Sequence, residues 1–206
     1  MERRAWLRQM LGYAVLAALS SLPFGIGRLL VTSRQEQRHA QKLRLPGAPK
    51  DKRKFAAACI GCGLCAQVCP PKAIVFSKSD DGAWQQLPYI DPQQTGCILC
   101  GKCMEVCPTE ALTVTPLRKI DMGRAKITRN VCYPWVDRGI CGACVSICPL
   151  GGSAIGFKQG NIYRPYVKAG CVGCGLCVEV CPHPYKPIRI IEREVTSVKN
   201  GNTNAG

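Results

Sequence analysis

Residues 59–70 read CIGCGLCAQVCP, and this stretch decides how the chain folds. Its cysteines stand at positions 59, 62, 65 and 69 and are followed directly by a proline. The same spacing returns in residues 97–108 and 171–182, and residues 132–149 repeat it with six residues inserted into the first gap. All 16 cysteines of the chain fall within these four copies. The chain is therefore a repetition of one cysteine motif.

The spacing within each copy suits a cubane iron–sulfur cluster. Two gaps of two residues wrap the backbone so tightly that three sulfurs converge on three corners of one core. Gly61 and Gly63 lie inside the wrap, where positive φ lets amide N–H groups approach sulfur. A helical turn then places Cys65 and Cys69 on one face, about one 5.4 Å pitch apart, and the proline ends that turn. The sequence predicts four [4Fe–4S] clusters.

Zinc and disulfides fit the repeats poorly. Structural zinc sites pair two Cys-x2-Cys knuckles across a longer spacer, whereas each copy here gathers three cysteines and adds a fourth. A disulfide framework is compatible with an exported chain and an even number of cysteines. However, cysteines three residues apart bridge poorly to each other, and a disulfide framework has no reason to repeat one motif four times. We therefore expect clusters.

Composition explains why the chain needs such a cofactor. Aromatic residues make up only 6% of the 206 positions, so packing alone does not supply a sufficient core. The net charge is +15, and residues 1–54 contribute most of it, with 12 Lys and Arg against 3 Asp and Glu. Clusters held by thiolates offset much of the remaining charge. No basic face interleaved with aromatics appears beyond residue 54, which excludes nucleic acid as a partner.

The beginning of the chain differs from the rest. Two arginines at positions 3 and 4 precede an apolar stretch over residues 10–27, a pattern that resembles a twin-arginine export signal. No Ala-x-Ala cleavage site follows, and about 18 apolar residues nearly span a bilayer core. Residues 1–31 are therefore interpreted as either an export signal or an uncleaved membrane-anchoring helix. Residues 32–54 are polar and basic without apolar periodicity, which predicts a linker.

Short apolar segments beside the motifs predict strands. We expect an α+β fold of two small βαββαβ units, over residues 55–120 and 121–195, with an apolar helix before them and a flexible tail at 196–206. The strand segments are Ala73-Ile74-Val75, Pro88-Tyr89-Ile90-Asp91, Ala111-Leu112-Thr113, Ala154-Ile155-Gly156 and Pro165-Tyr166-Val167.

The motif resembles that of the bacterial dicluster ferredoxins, in which the fourth cysteine of each run ligates the partner cluster. The resemblance implies two tandem bacterial-ferredoxin-like modules, each with crossed ligation of a cluster pair. The implied ligand sets are Cys59, Cys62, Cys65 and Cys107; Cys97, Cys100, Cys103 and Cys69; Cys132, Cys141, Cys144 and Cys181; and Cys171, Cys174, Cys177 and Cys148.

Cys132 stands apart from the other ligands. The insertion Tyr133–Ile140 separates it from Cys141, so it must loop back to complete its site; otherwise the site holds a three-iron cluster or takes another ligand. The insertion is either a solvated loop or a cover or docking surface that includes Trp135.

No catalytic site is expected in this chain. It has no glycine-rich dinucleotide loop, no P-loop and no nucleophile elbow. His39 lies in the basic segment and is expected to be solvated. His183 follows Cys181-Pro182 and is either solvated or hydrogen-bonded near a cluster. The sequence predicts an electron carrier.

The whole chain resembles the NapG/MauM family of ferredoxin-type proteins, through its twin-arginine-like start, its four motifs and the copy-three run WVDRGICGAC at 135–144. The resemblance implies a periplasmic, membrane-associated carrier that passes single electrons from a membrane quinol-oxidising partner to a periplasmic acceptor such as nitrate reductase. An accessory or maturation role in methylamine utilisation is one alternative. A cluster subunit of a larger membrane oxidoreductase is another.

Overall fold

Each motif copy forms a one-turn helix in the computed structural model, which describes residues 41–77, 86–158 and 163–193. Every one of these helices begins one residue before the third cysteine of its copy. Gly63, Gly101 and Gly175 precede three of them with φ of 80°, 80° and 87°, a conformation that costs glycine least. A longer helix, α1 (Lys52–Ala58), precedes the four, which are α2 (Leu64–Gln67), α3 (Lys102–Glu105), α4 (Ala143–Ser146) and α5 (Leu176–Glu179).

The strands pair as three antiparallel two-stranded sheets within the described residues. Two of the sheets join strands that are neighbours in sequence. The remaining sheet joins strands more than 60 positions apart, and in it Ala125 lies opposite Ile190. The sheets are β1 (Ile74–Phe76) with β2 (Pro88–Ile90), β3 (Arg124–Ile127) with β6 (Ile188–Ile191), and β4 (Ile155–Lys158) with β5 (Arg164–Val167).

The predicted α+β class is confirmed, and the two halves differ in the order of their strands and helices. Residues 124–191 run strand, helix, strand, strand, helix, strand. Among the described residues of the first half, the inner hairpin β1–β2 is the only pair of strands, and the expected strand at 111–113 is wrong. Thr113 donates one backbone hydrogen bond to the Gly47 carbonyl, and the chain then meets Pro116, so no ladder develops there.

The segment before α1 is packed against the fold, although the sequence predicts a linker over 32–54. Leu43 and Leu45 are 7% and 1% exposed. Leu43 also exchanges two backbone hydrogen bonds with Ile90, of 2.9 and 3.0 Å, and so adds a third segment beside β1 and β2. The sequence did not reveal this packing because two leucines among basic residues show no periodicity.

No helix within the described ranges is long and apolar enough to cross a membrane. The apolar stretch at 10–27, the signal or anchor expected at 1–31 and the tail expected at 196–206 lie outside the described residues.

Candidate metal centres

Four cysteines from the first two motif copies line one cavity. Cys59, Cys62 and Cys65 come from copy one, and Cys107 is the last cysteine of copy two. The remaining wall is largely apolar and includes Phe55 of α1. We call this group of four cysteines site 1.

The reciprocal group lines a second cavity. Cys97, Cys100 and Cys103 of copy two are joined there by Cys69, the last cysteine of copy one. This group is site 2. The exchange follows from the helices: α2 and α3 each carry the third cysteine of their own copy and deliver the fourth to the neighbouring cavity. Cys103 of site 2 lies close enough to Cys65 of site 1 for their charges to repel.

The second half repeats this exchange. Cys171, Cys174 and Cys177 line a cavity together with Cys148 from copy three, and we call this group site 4. Cys144 also lines this cavity, so the neighbouring group adjoins it. That neighbouring group is site 3 and comprises Cys132, Cys141, Cys144 and Cys181, whose mutual charge repulsion shows their proximity.

The inserted loop returns Cys132 to site 3 by packing on β5. The Trp135 indole N–H donates to the Pro165 carbonyl at 2.9 Å, and Arg164 pairs with Asp137 at 2.7 Å. Pro134 is fully buried beneath the loop. The loop is therefore held against the fold through Trp135 and Asp137. This packing argues against a freely solvated loop, and a docking surface stays a prediction.

Burial raises the thiol pKa at several of these cysteines. The value rises to about 11 for Cys65 and Cys97 and to about 12 for Cys103, Cys144 and Cys174, and repulsion between neighbouring thiolates adds to the effect of burial in each case. Four thiolates therefore gather in one such cavity only if a strongly cationic group offsets their charge.

Backbone and hydroxyl donors face the sulfurs. The amides of Leu99 and Ala125 lie 3.4 Å from the sulfurs of Cys97 and Cys171 respectively. Cys107 differs from these cysteines in the direction of its pKa shift. Burial raises the pKa of its thiol, but hydrogen bonds from the Thr109 amide and hydroxyl, together with further amides, lower it below the ordinary value. The Thr109 hydroxyl lies 3.7 Å from the Cys107 sulfur. Donors of this kind stabilise negative charge on a cluster ligand.

His183 lies beside site 3 with its backbone amide hydrogen-bonded to the Cys181 sulfur. Its Nδ1 accepts the Tyr185 amide at 3.1 Å, and its ring centroid lies 4.6 Å from that of Tyr133. The side chain is therefore occupied by a local turn and an aromatic contact. Thr109 and Arg164 were missed in the sequence, because nothing in their spacing marks them.

The donor set fits a [4Fe–4S] cluster. Each site offers four thiols, three from one motif copy and one from its partner copy, as a cubane with four irons requires, and the cavities of sites 1, 2 and 4 are largely apolar. Within the described ranges, no three His, Cys, Asp or Glu side chains approach closely enough to hold a single ion.

Comparison with known proteins gives the same cofactor. A family model described as a 4Fe-4S dicluster domain matches residues 58–111 and 96–151, and one described as a 4Fe-4S binding domain matches residues 168–193. Together with the 16 cysteines, these matches account for four [4Fe–4S] clusters.

Similar proteins extend over nearly the whole chain. The methylamine utilization ferredoxin-type protein MauM of Methylophilus methylotrophus is 33% identical over 217 residues, covering 100% of this chain and 93% of that protein. MauM of Paracoccus denitrificans is 33% identical over 81% of this chain and 79% of its own. The ferredoxin-type protein NapG of Haemophilus influenzae is 29% identical over 83% of this chain and 67% of its own. The chain belongs to the MauM and NapG family of ferredoxin-type electron-transfer proteins.

Proposed function

We propose that this chain relays single electrons through four [4Fe–4S] clusters ligated by sites 1 to 4. The observation that carries the proposal is the grouping of the cysteines: two cavities are each lined by four cysteines, three from one copy and the fourth from its partner. A third cavity shows the same arrangement for site 4 and is also lined by Cys144 of site 3. Each cluster, when bound, accepts and releases one electron. The chain has no catalytic site of its own in this proposal.

The protein's own residues fix where the clusters lie and how they are solvated. Because α2 holds Cys65 of site 1 and leads directly to Cys69 of site 2, one helical turn sets the separation of two clusters. The α4 turn does the same for sites 3 and 4. Apolar neighbours such as Phe55 and Leu112 line site 1, whereas its cysteine Cys62 is exposed to solvent. We extend the proposal to the architecture: two bacterial-ferredoxin-like βαββαβ modules, over 55–120 and 121–195.

The proposed donor is a membrane quinol-oxidising protein, and the proposed acceptor is a periplasmic reductase or dehydrogenase. Export across the membrane is supported by the twin-arginine-like start, since that route carries proteins already folded around their cofactors. The chain then works in the periplasm, either free or associated with the inner membrane through its N-terminal segment.

A second candidate is a role in methylamine utilisation, as an accessory or maturation ferredoxin. Relatives named for methylamine utilisation support it: three of them align with 97–100% of this chain and a fourth with 81%, against 83% for the NapG relative.

A deletion in the host separates these functions. Loss of the gene should abolish growth on methylamine if the second candidate holds, and nitrate respiration if the acceptor is a nitrate reductase. In vitro, the clusters should reduce and reoxidise reversibly in a potentiometric titration and exchange electrons with a quinol-oxidising membrane fraction. Clusters that form but never change redox state would overturn the electron-relay proposal.

A further inference from the structure

Sites 2 and 4 meet through the backbone. The amide of Cys97, a site 2 cysteine, donates to the carbonyl oxygen of Cys174, a site 4 cysteine, at 2.8 Å. The charges of the same two cysteines lie close enough to repel. A second backbone hydrogen bond runs from the Met122 amide to the Val172 carbonyl at 2.9 Å. The copy-four segment that carries Cys174 therefore accepts two backbone hydrogen bonds from preceding parts of the chain.

Gly96 makes this approach sterically feasible. The residue is buried, and a Cβ atom on it would lie 2.5 Å from the Leu176 backbone nitrogen. That distance is shorter than real contacts allow, and the obstructing atom is backbone that cannot turn away. The close packing of copy two against α5 therefore depends on the missing side chain.

The carboxylate of Glu179 binds the backbone at Gly96. Its Oε2 accepts the Gly96 amide at 2.6 Å, across 83 positions of sequence. A carboxylate accepting an amide is among the stronger protein hydrogen bonds, and this one lies directly before the first cysteine of copy two. Lys186, which donates to the carbonyls of Gln93 and Glu179, adds a further link between the halves.

We propose that electrons pass between the two halves at this junction, in the spatial order site 1, site 2, site 4, site 3, and that Gly96 and Glu179 are its positioning residues. The order differs from the order of the copies in the sequence. Crossed cysteines join sites 1 and 2 and sites 3 and 4, and the Cys97–Cys174 contact joins the two pairs. This inference rests on the proposed electron relay.

Two matched pairs of variants test the junction. Glu179→Ala removes the carboxylate, and Glu105→Ala is its control, since Glu105 occupies the same position of α3 and is exposed. Gly96→Ala introduces the clash, and Gly152→Ala is its control, since a Cβ at Gly152 meets nothing within 4 Å. The full-length holoprotein is used throughout, with iron counted in every sample.

The readouts are amide hydrogen exchange and EPR of the fully reduced protein. We expect Glu179→Ala and Gly96→Ala to accelerate exchange at the Cys97 amide at least tenfold and to remove one of the three nearest-neighbour magnetic couplings, with iron content unchanged. Both controls should match the wild type. If Gly96→Ala loses iron, Glu179→Ala carries the test.

Two results would overturn the inference. One is unchanged exchange at Cys97 in Glu179→Ala, which would deny Glu179 its positioning role. The other is an opened Cys97 amide with all couplings intact, which would place the contact between halves elsewhere. Failure of the proposed relay has a different signature, since the wild-type clusters would then not be reversibly reduced at all.

Discussion

Trp135 and Pro165 are 30 positions apart in the chain, and the indole N–H of Trp135 donates to the Pro165 carbonyl oxygen at 2.9 Å. Arg129 stacks on the same indole, with its guanidinium 4.4 Å from the ring centroid. These contacts fold the inserted loop onto β5. Because Cys132 begins that loop, the position of Trp135 determines whether Cys132 reaches the other cysteines of site 3.

We therefore expect Trp135→Phe to weaken ligation by Cys132. The substitution keeps an aromatic ring but removes the N–H donor, which costs about 1 kcal/mol and leaves the Pro165 carbonyl without its partner. A fraction of the isolated protein should then carry a three-iron cluster, visible by EPR of the oxidised sample. Tyr166→Phe, also on β5, is the control and should retain full iron. A Trp135→Phe protein with wild-type iron and no three-iron signal would contradict this role.

Thr109 should tune the cluster at site 1. Its hydroxyl and amide stabilise negative charge on Cys107, and the reduced cluster carries more negative charge than the oxidised one, so removing the hydroxyl should lower the reduction potential. We expect Thr109→Val to lower one of the four potentials by roughly 20–40 mV, equivalent to under ~1 kcal/mol for one electron. Thr109→Ser should restore the potential, and Thr115→Val should leave it unchanged. Equal potentials for Val and Ser at position 109 would refute the assignment.

Cluster assembly should depend on pH. The thiols of Cys65 and Cys103 have pKa values of about 11 and 12, so below those values each holds a proton that iron must displace. Reconstitution of iron-free protein with iron and sulfide should therefore become more favourable as pH rises from about 7 to 9, because both the cysteine thiols and the HS⁻ ions must lose protons to bind iron. An indicator dye in weak buffer measures the release. Uptake that neither releases protons nor responds to pH would exclude thiolate ligation.

Asp121 should stabilise the packed segment before α1. Its carboxylate pairs with Lys50 at 2.9 Å and with Arg193 at 3.4 Å, and these cations lower its pKa although burial raises it. Because the lysine is mostly exposed, we expect Asp121→Asn to cost only about 0.5–1 kcal/mol, measured as the denaturant midpoint for cluster loss at pH 7. Glu192→Gln, in the exposed pair with Lys52, should have no measurable effect. Equal midpoints for the two variants would show that the Asp121 pair contributes nothing.

The cysteine spacing was sufficient to predict the cofactor and the helical turns, because ligand geometry leaves the backbone few conformations. The sequence was a poorer guide where the structure depends on contacts between residues that are distant in the chain. Leu43 and Leu45 gave no periodic signal, and their burial depends on β2. The segment 111–113 has strand composition, but its described backbone hydrogen bond goes to Gly47 and not to a strand. Glu105 and Glu179 occupy equivalent positions of the same motif, and only the fold shows that one of them contacts Gly96.

The most direct test of the central claim is a count of iron and sulfide in protein purified without oxygen, followed by EPR after reduction. We expect about 16 irons and 16 sulfides per chain, and S = 1/2 signals broadened by coupling between neighbouring clusters. A colourless, iron-free protein that is nevertheless compactly folded would contradict the claim that these cysteines hold the clusters on which both the fold and the electron transfer depend.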